Sequence, residues 1–250
     1  MTALLRLRDV RKAYPDGDGE IAVFDSASLE MTAGAHVGIY GRRHSGKSTL
    51  LRIAAGIERP DAGSVTFDGN ELTSISGTER ARLLRSHLAY IAIGDWRPNP
   101  GESVAQHLAI SLGGDGRTVR EAERRALREL DHVGVSAAQA HSLASRLSMM
   151  DRTRVMLARA LTREPSLIVI DDPVVTSSTD ERDNLYRLMH TVVRERGAAL
   201  LVASDDFPAL QGFDVFMSIS AREICSSEGN ATVVPFPNLP HLGPVRDTGS

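Results

Sequence analysis

The sequence holds a single cysteine, Cys225, among its 250 residues. No internal disulfide framework can staple the fold, which suits a reducing, cytoplasmic setting. Excess basic charge is missing too: 29 Lys and Arg stand against 32 Asp and Glu, a formal net charge of −3. That balance leaves no electrostatic footprint for nucleic acid. No apolar stretch approaches the roughly 20 residues that span a bilayer, and Arg6, Arg8, Asp9 and Arg11 make the start a poor secretory leader. Any membrane role therefore comes through a partner. Internal repeats and a long coiled-coil insertion are also absent.

What is present is a phosphate-loop pattern, Gly41-Arg42-Arg43-His44-Ser45-Gly46-Lys47-Ser48-Thr49, which fits G-x-x-x-x-G-K-[ST]. It follows the apolar run Val37-Gly38-Ile39-Tyr40 and precedes the helical pattern Leu50, Leu51, Ile53, Ala54. Strand, Gly-rich turn and helix are the context in which such a loop works. Glycines let backbone amides curl around phosphates and the helix N-terminus favours negative charge. Lys47 reaches the outer phosphates, and the Ser48 hydroxyl is a ligand for Mg²⁺. Arg42, Arg43 and His44 either add positive charge or face solvent.

Around this loop, residues 4–14 and 21–31 read as alternating strands separated by a Pro-Asp-Gly-Asp-Gly turn, and 65–67 and 88–93 as further strands. From 104 to about 161 the pattern is mainly helical, clearest at 120–133, where Ala122, Ala126, Leu127, Leu130 and Val133 share one face. Two buried-type runs follow, Leu167-Ile168-Val169-Ile170 and Ala199-Leu200-Leu201-Val202-Ala203, as expected of parallel strands covered on both sides, with a crossover helix over 181–196. The length suits one α/β domain over 1–226, with a helical subdomain over about 95–162 and an irregular tail over 227–250. After Ile170 come Asp171 and Asp172. A carboxylate at the end of a central strand beside a phosphate loop is placed to hold Mg²⁺, and Asp171 is the candidate; the alternative is a turn that Pro173 completes.

With these residues the chain resembles the nucleotide-binding subunits of ATP-binding cassette (ABC) transporters, over roughly residues 4–225. Further carriers of the resemblance are Arg11-Lys12-Ala13-Tyr14, Leu88-Ala89-Tyr90-Ile91, and Leu147-Ser148 leading into Arg154-Val155-Met156-Leu157-Ala158-Arg159-Ala160-Leu161. The stretch 73–90 looks most like the branch serving lipoprotein release, macrolide export and cell division. The resemblance implies an α/β phosphate-loop NTPase of ABC type: a mixed sheet, an N-terminal antiparallel β layer and an inserted helical subdomain. It implies Mg²⁺-ATP as ligand, with Tyr14 stacking on adenine or, alternatively, covering core at a strand edge.

The departures from the family pattern concern hydrolysis. Asp172 stands where the family has a catalytic glutamate, a carboxylate shorter by one methylene, and a misplacement of about 1 Å can cost on the order of 100-fold in rate. The family's Leu-Ser-Gly-Gly-Gln signature is Leu147-Ser148-Met149-Met150-Asp151. Ser148 remains as a hydroxyl donor, while Met149 and Met150 obstruct a phosphate or else simply fill core. Asp205 takes the place of a histidine that contacts the γ-phosphate; at about 4 Å a carboxylate would repel that charge by roughly 4 kcal/mol at an effective dielectric of 20. Ile93 replaces a glutamine, and Val175-Thr176-Ser177-Ser178 replaces the Ser-Ala-Leu-Asp loop that couples the two nucleotide sites. The expectation is an ATP-binding subunit with impaired hydrolysis at the cytoplasmic face of the membrane, coupled to a transmembrane permease. A second, more conventional ABC ATPase would complete a heterodimer. The groove near 93–104 would receive the permease, with Trp96 either a contact or a cap on local core. The alternative is a nucleotide-sensing regulatory or scaffolding subunit.

Overall fold

The computed structural model describes residues 2–112, 118–173, 178–220 and 223–227. Two long strands, β1 (Ala3–Asp16) and β2 (Gly19–Thr32), are joined by a two-residue turn in which Gly17 takes φ 57°. β3 (His36–Tyr40) leads into α1 (Lys47–Ala54), followed by β4 (Ala62–Phe67), β5 (Asn70–Glu71), α2 (Gly77–His87) and β6 (Leu88–Ala92). The helices α3 (Val104–Leu112), α4 (Val119–His132), α5 (Ala137–Ala140) and α6 (Met149–Leu161) come next. β7 (Leu167–Asp171), α7 (Thr179–Glu195), β8 (Ala199–Ser204), β9 (Val215–Ser220) and β10 (Glu223–Ser227) complete the order.

An antiparallel sheet runs β2-β1-β4-β5, and a second sheet runs β10-β9-β3-β8-β7-β6, parallel except for the β10–β9 pair. Side chains alternate across a strand, and the second sheet uses both faces. On β7, Leu167 and Val169 join the core under the antiparallel sheet and α1, while Ile168 and Ile170 join the core under the helices; on β8, Leu201 and Leu200 divide in the same way. Leu167 to Ile170 are fully buried, as the continuous apolar run demands.

The helical block α3–α6 lies in sequence between β6 and β7, which pair directly with each other. α4 starts at a capping box in which Thr118 Oγ1 accepts from the Glu121 N–H and the Glu121 carboxylate accepts from the Thr118 N–H. α2 is an element that the sequence pattern did not reveal: none of its residues is buried, although Leu83 and Leu84 pack partly on the core. The tail expected over 227–250 lies outside the described residues apart from Ser227, the last residue of β10.

Of the two alternatives for Trp96, a contact or a cap on local core, its packing fits the cap. It is 8% exposed and packed in the helical-side core, edge-on to His107 at 4.9 Å between ring centroids, so it caps local core rather than offering itself to a partner.

Candidate functional site

β3 delivers the chain to Gly41, whose N–H donates to the Ser204 carbonyl at the end of β8 (3.2 Å). The loop then turns tightly. Ser45 N–H donates to the Arg42 carbonyl (3.2 Å), and His44 and Gly46 take φ values of 63° and 98°. Backbone turned this way directs successive N–H groups into one concavity, and α1 begins there with its partial positive charge. Glycine at 46 is required both by its φ and by space: a Cβ would lie 2.5 Å from Val23 Cγ1 and 2.8 Å from Phe24 Cζ. Gly46→Ala is expected to cost about 3 kcal/mol of stability through strain and overpacking. Calorimetric unfolding reads this directly, and an unchanged midpoint would contradict the loop geometry.

Lys47 is 6% exposed, and its Nζ donates to the carbonyls of Gly41 (2.8 Å) and Arg42 (3.1 Å). Arg42, Arg43 and His44 face solvent, and Arg43 Nε also reaches Asp205 Oδ2 at 3.5 Å. Ser48 is half-buried at the first turn of α1, and Thr49 is buried with its Oγ1 3.2 Å from the Tyr14 hydroxyl.

Asp171 closes β7, two strands across the sheet from β3. Its Oδ2 accepts from the Tyr90 hydroxyl on β6 (3.2 Å), and its Oδ1 is buried without a hydrogen-bond partner among the described residues. Burial, then the Asp171 charge, pushes the Tyr90 phenol far above its ordinary range, so it stays a donor. Sequence reasoning missed Tyr90, because its partnership appears only once β6 is known to lie beside β7.

Asp172 sits at φ 50°, and its N–H donates to the Ala203 carbonyl (3.1 Å). Burial raises its carboxyl pKa, and the charge of Asp205 adds to the rise while Lys47 opposes it. Asp172 and Asp205 are therefore brought together, whereas Asp206 is turned aside into an ion pair with Arg182. Ile93, 9% exposed, presents no hydrogen-bonding side chain. The segment Val175-Thr176-Ser177 lies outside the described residues.

The start of α6 supplies its own anion. Ser148 Oγ donates to Asp151 Oδ2 (2.8 Å) and accepts from the Asp151 N–H (3.1 Å), so the hydroxyl assigned to a phosphate is engaged as the helix N-cap. Gln139 Nε2 adds a second donor to Asp151 Oδ2 (3.0 Å), and Arg154 Nη1 meets Oδ1 (3.2 Å). Met150 packs on the helical-side core, in line with the filler alternative, and Met149 Sδ lies 3.5 Å from Arg152 Nη1. The S-x-x-D spacing was a visible signal for this cap.

These residues fit a nucleotide. A Cβ at Gly41 would fall 2.4 Å from Ser45 Oγ and 3.1 Å from Lys47 Cγ, so the loop closes over the lysine with bare backbone. Ser45 Oγ and Asp171 Oδ1 are buried polar atoms without partners among the described residues. No group of three or more His, Cys, Asp or Glu gathers to cage an ion among those residues. A cation here would therefore draw on phosphate oxygens along with protein ligands, the habit of Mg²⁺.

The family model described as ABC transporter matches residues 24–175. The chain belongs to the ABC transporter family. Among curated ABC relatives, the lipoprotein-releasing system ATP-binding protein LolD of Granulibacter bethesdensis is 32% identical over 213 residues, covering 83% of this chain and 90% of the relative. LolD 2 of Caulobacter vibrioides is 29% identical over 211 residues, covering 84% and 92%. A solved structure of the ATP-binding cassette MJ0796, a dimer bound to ADP and Pi, superposes with a TM-score of 0.79 over 88% of this chain and 96% of that one, at 22% identity. A nucleotide-free cassette from an ABC transporter gives 0.74, over 91% and 92% at 20% identity. At these identities the likeness to solved structures is one of fold: the ABC cassette, with its antiparallel and parallel sheets. The chain is an ATP-binding subunit of ABC type, and the family binds ATP, normally with Mg²⁺.

Proposed function

We propose that this subunit binds Mg²⁺-ATP, hydrolyses it slowly, and passes nucleotide-dependent closure to a separate transmembrane permease at the cytoplasmic face of the membrane. The relatives' name, lipoprotein-releasing system, supports a transporter of that branch. One domain over 1–226 carries the function. Gly41 to Thr49 cradle the phosphates, Tyr14 takes the base, and Ser48 and Asp171 hold the cation. Bound Mg²⁺ would supply charge neutralisation across the outer phosphates. Lys47 would turn from the loop carbonyls to those phosphates, and Tyr90 would hold the Asp171 carboxylate in place.

The observation that carries the impaired-hydrolysis reading is the Asp172–Asp205 pair. Two carboxylates stand where the family has a glutamate and a histidine, and burial, with the charge of Asp205 adding to it, raises the Asp172 pKa. The self-capped start of α6 supports it from the opposite side of the assembly, because that helix N-terminus already has its anion. A second, more conventional ABC ATPase therefore completes the working heterodimer. The same cap favours a second reading, a nucleotide-sensing scaffold subunit without a transport stroke.

The test is ATP turnover in the complex that forms around this chain. Asp172→Ala should leave turnover within about twofold, and Asp172→Glu should raise it by about 10- to 100-fold as the missing methylene is restored. A collapse of turnover on Asp172→Ala would show that the shorter carboxylate works and would end the impaired-hydrolysis reading. A homodimer of the isolated chain with brisk turnover would remove the need for a second ATPase. Transport that stops with Lys47→Ala in a permease complex separates the transport reading from the scaffold.

A further inference from the structure

Where β1 ends, its residues are gripped by the segment that follows α1. Asp61 Oδ2 accepts from the Ala13 N–H (2.7 Å), and Asp61 Oδ1 accepts from Lys12 Nζ (3.1 Å). Glu58 Oε1 accepts from the Tyr14 hydroxyl (2.7 Å) and lies 3.3 Å from Lys12 Nζ, while Glu58 Oε2 accepts from Arg52 Nε (3.1 Å). Arg52 Nη2 reaches both the Tyr14 hydroxyl (3.5 Å) and Thr49 Oγ1 (3.4 Å). The Lys12 ammonium stands over the Tyr14 ring, 5.3 Å from its centroid. The side chains of Lys12 and Glu58 are 13% and 20% exposed, so these charges meet largely out of water.

The function of this network does not follow from the phosphate loop itself. It joins the end of β1 to the helix that the loop opens, through one carboxylate. A tyrosine at a strand end samples several rotamers, and ordering such a side chain on binding weakens affinity. Here the hydroxyl is anchored before any ligand arrives, and one ring face is occupied by an ammonium, an arrangement favoured by the ring quadrupole. Tyr14 is half-buried, so part of its surface reaches solvent.

We propose that Glu58 is a positioning residue for nucleotide selection: by holding the Tyr14 hydroxyl, Lys12 and Arg52 together, it fixes the Tyr14 ring in the orientation that stacks on a purine. The proposal rests on the reading that Tyr14 takes the base. Glu58 would not touch nucleotide, and its contribution would be specific to ligands that carry a base.

Inorganic tripolyphosphate, which has the phosphates and no base, separates the two effects. Titration calorimetry of the full chain with Mg²⁺-ATP and with Mg²⁺-tripolyphosphate would be run on wild type, Tyr14→Ala, Tyr14→Phe and Glu58→Ala. Tyr14→Phe and Glu58→Ala should each weaken ATP binding about three- to tenfold, leave tripolyphosphate binding unchanged, and show no further loss when combined. If Tyr14→Ala weakens ATP while Tyr14→Phe binds it like wild type, the ring reads the base without the tether and the positioning role of Glu58 falls alone. If Tyr14→Ala leaves ATP affinity unchanged, the base assignment fails and takes the proposal with it. Equal weakening of ATP and tripolyphosphate by Glu58→Ala would also overturn it, because that pattern marks a general effect on the loop. Tyr14→Phe, which removes one oxygen and no packing atom, decides the matter if Glu58→Ala does not fold.

Discussion

Replacing Lys47 with alanine will weaken ATP binding by about 30-fold or more, since losing one member of a desolvated, hydrogen-bonded charge pair costs about 2–5 kcal/mol. The ammonium is almost completely enclosed and is held by carbonyl dipoles of Gly41 and Arg42. A phosphate offers it full opposite charge, so the exchange favours nucleotide strongly. The same substitution takes the Lys47 donor from the Gly41 carbonyl, at a cost of about 1–3 kcal/mol if that oxygen stays dry, while the Arg42 carbonyl keeps the Ser45 N–H. Two measurements follow: equilibrium binding of ATP, and the unfolding midpoint without nucleotide. A variant with normal ATP affinity would mean that the loop's backbone amides hold the phosphates without the lysine.

Acid will unfold this protein more readily than a count of its carboxylates suggests. His36 is fully buried on β3, and its Nδ1 lies 2.7 Å from Nδ1 of His190 on α7. One ring must donate and the other accept, so a single proton lies between the two Nδ1 atoms and the accepting ring carries its own proton on Nε2. Phe213 packs on His190 at 4.2 Å between ring centroids, and the charged groups near the pair are Arg194 and Asp214, which bond each other at 3.0 Å. Asp214 also accepts from the His36 backbone N–H (2.9 Å). Burial, followed by repulsion from His190 and Arg194, lowers the His36 pKa to about 4, and burial lowers that of His190.

An unfolded histidine titrates near pH 6.5. Below that pH the unfolded chain binds a proton that folded His36 refuses, so stability is complete above about pH 6.5 and falls as the pH drops toward 4. The loss from His36 alone is about 3 kcal/mol. Urea unfolding at pH 7 and pH 4 measures it, with the double variant His36→Val, His190→Leu as reference. The wild type should lose about 3 kcal/mol more than the variant over that interval. Equal losses would show that the pair does not govern acid stability.

The parts of the molecule that read directly from sequence are those whose chemistry is local. Gly41 to Thr49 announce a phosphate loop because turn, lysine and hydroxyl fall within nine residues, and β7 and β8 announce themselves as continuous apolar runs. α2 was hidden because its two apolar contacts, Leu83 and Leu84, are adjacent and too few to set a helical period. The Arg43–Asp205 contact spans 162 residues, and Tyr90 meets Asp171 across 81. No local pattern encodes such pairs; they follow from strand order. The Ser148–Asp151 cap is the opposite case. Its spacing is legible in the sequence, although the resemblance to a phosphate-contacting signature implies an external ligand for Ser148, and the hydroxyl instead bonds the carboxylate three residues away.

That cap also has a consequence for folding: it ties three separate positions to one carboxylate. A helix start that must admit a phosphate is constrained at every position, whereas one that brings its own carboxylate can tune those positions for folding. Met150 now packs on the core, and Asp151 holds Gln139 and Arg154. Glycines at 149 and 150 would each be less favourable in the helix by about 1 kcal/mol, and replacing Asp151 would take a shared partner from Gln139 and Arg154. The start of α6 is thus knit into the helical block by its own side chains, and a change at position 151 would be felt at 139 and 154 together.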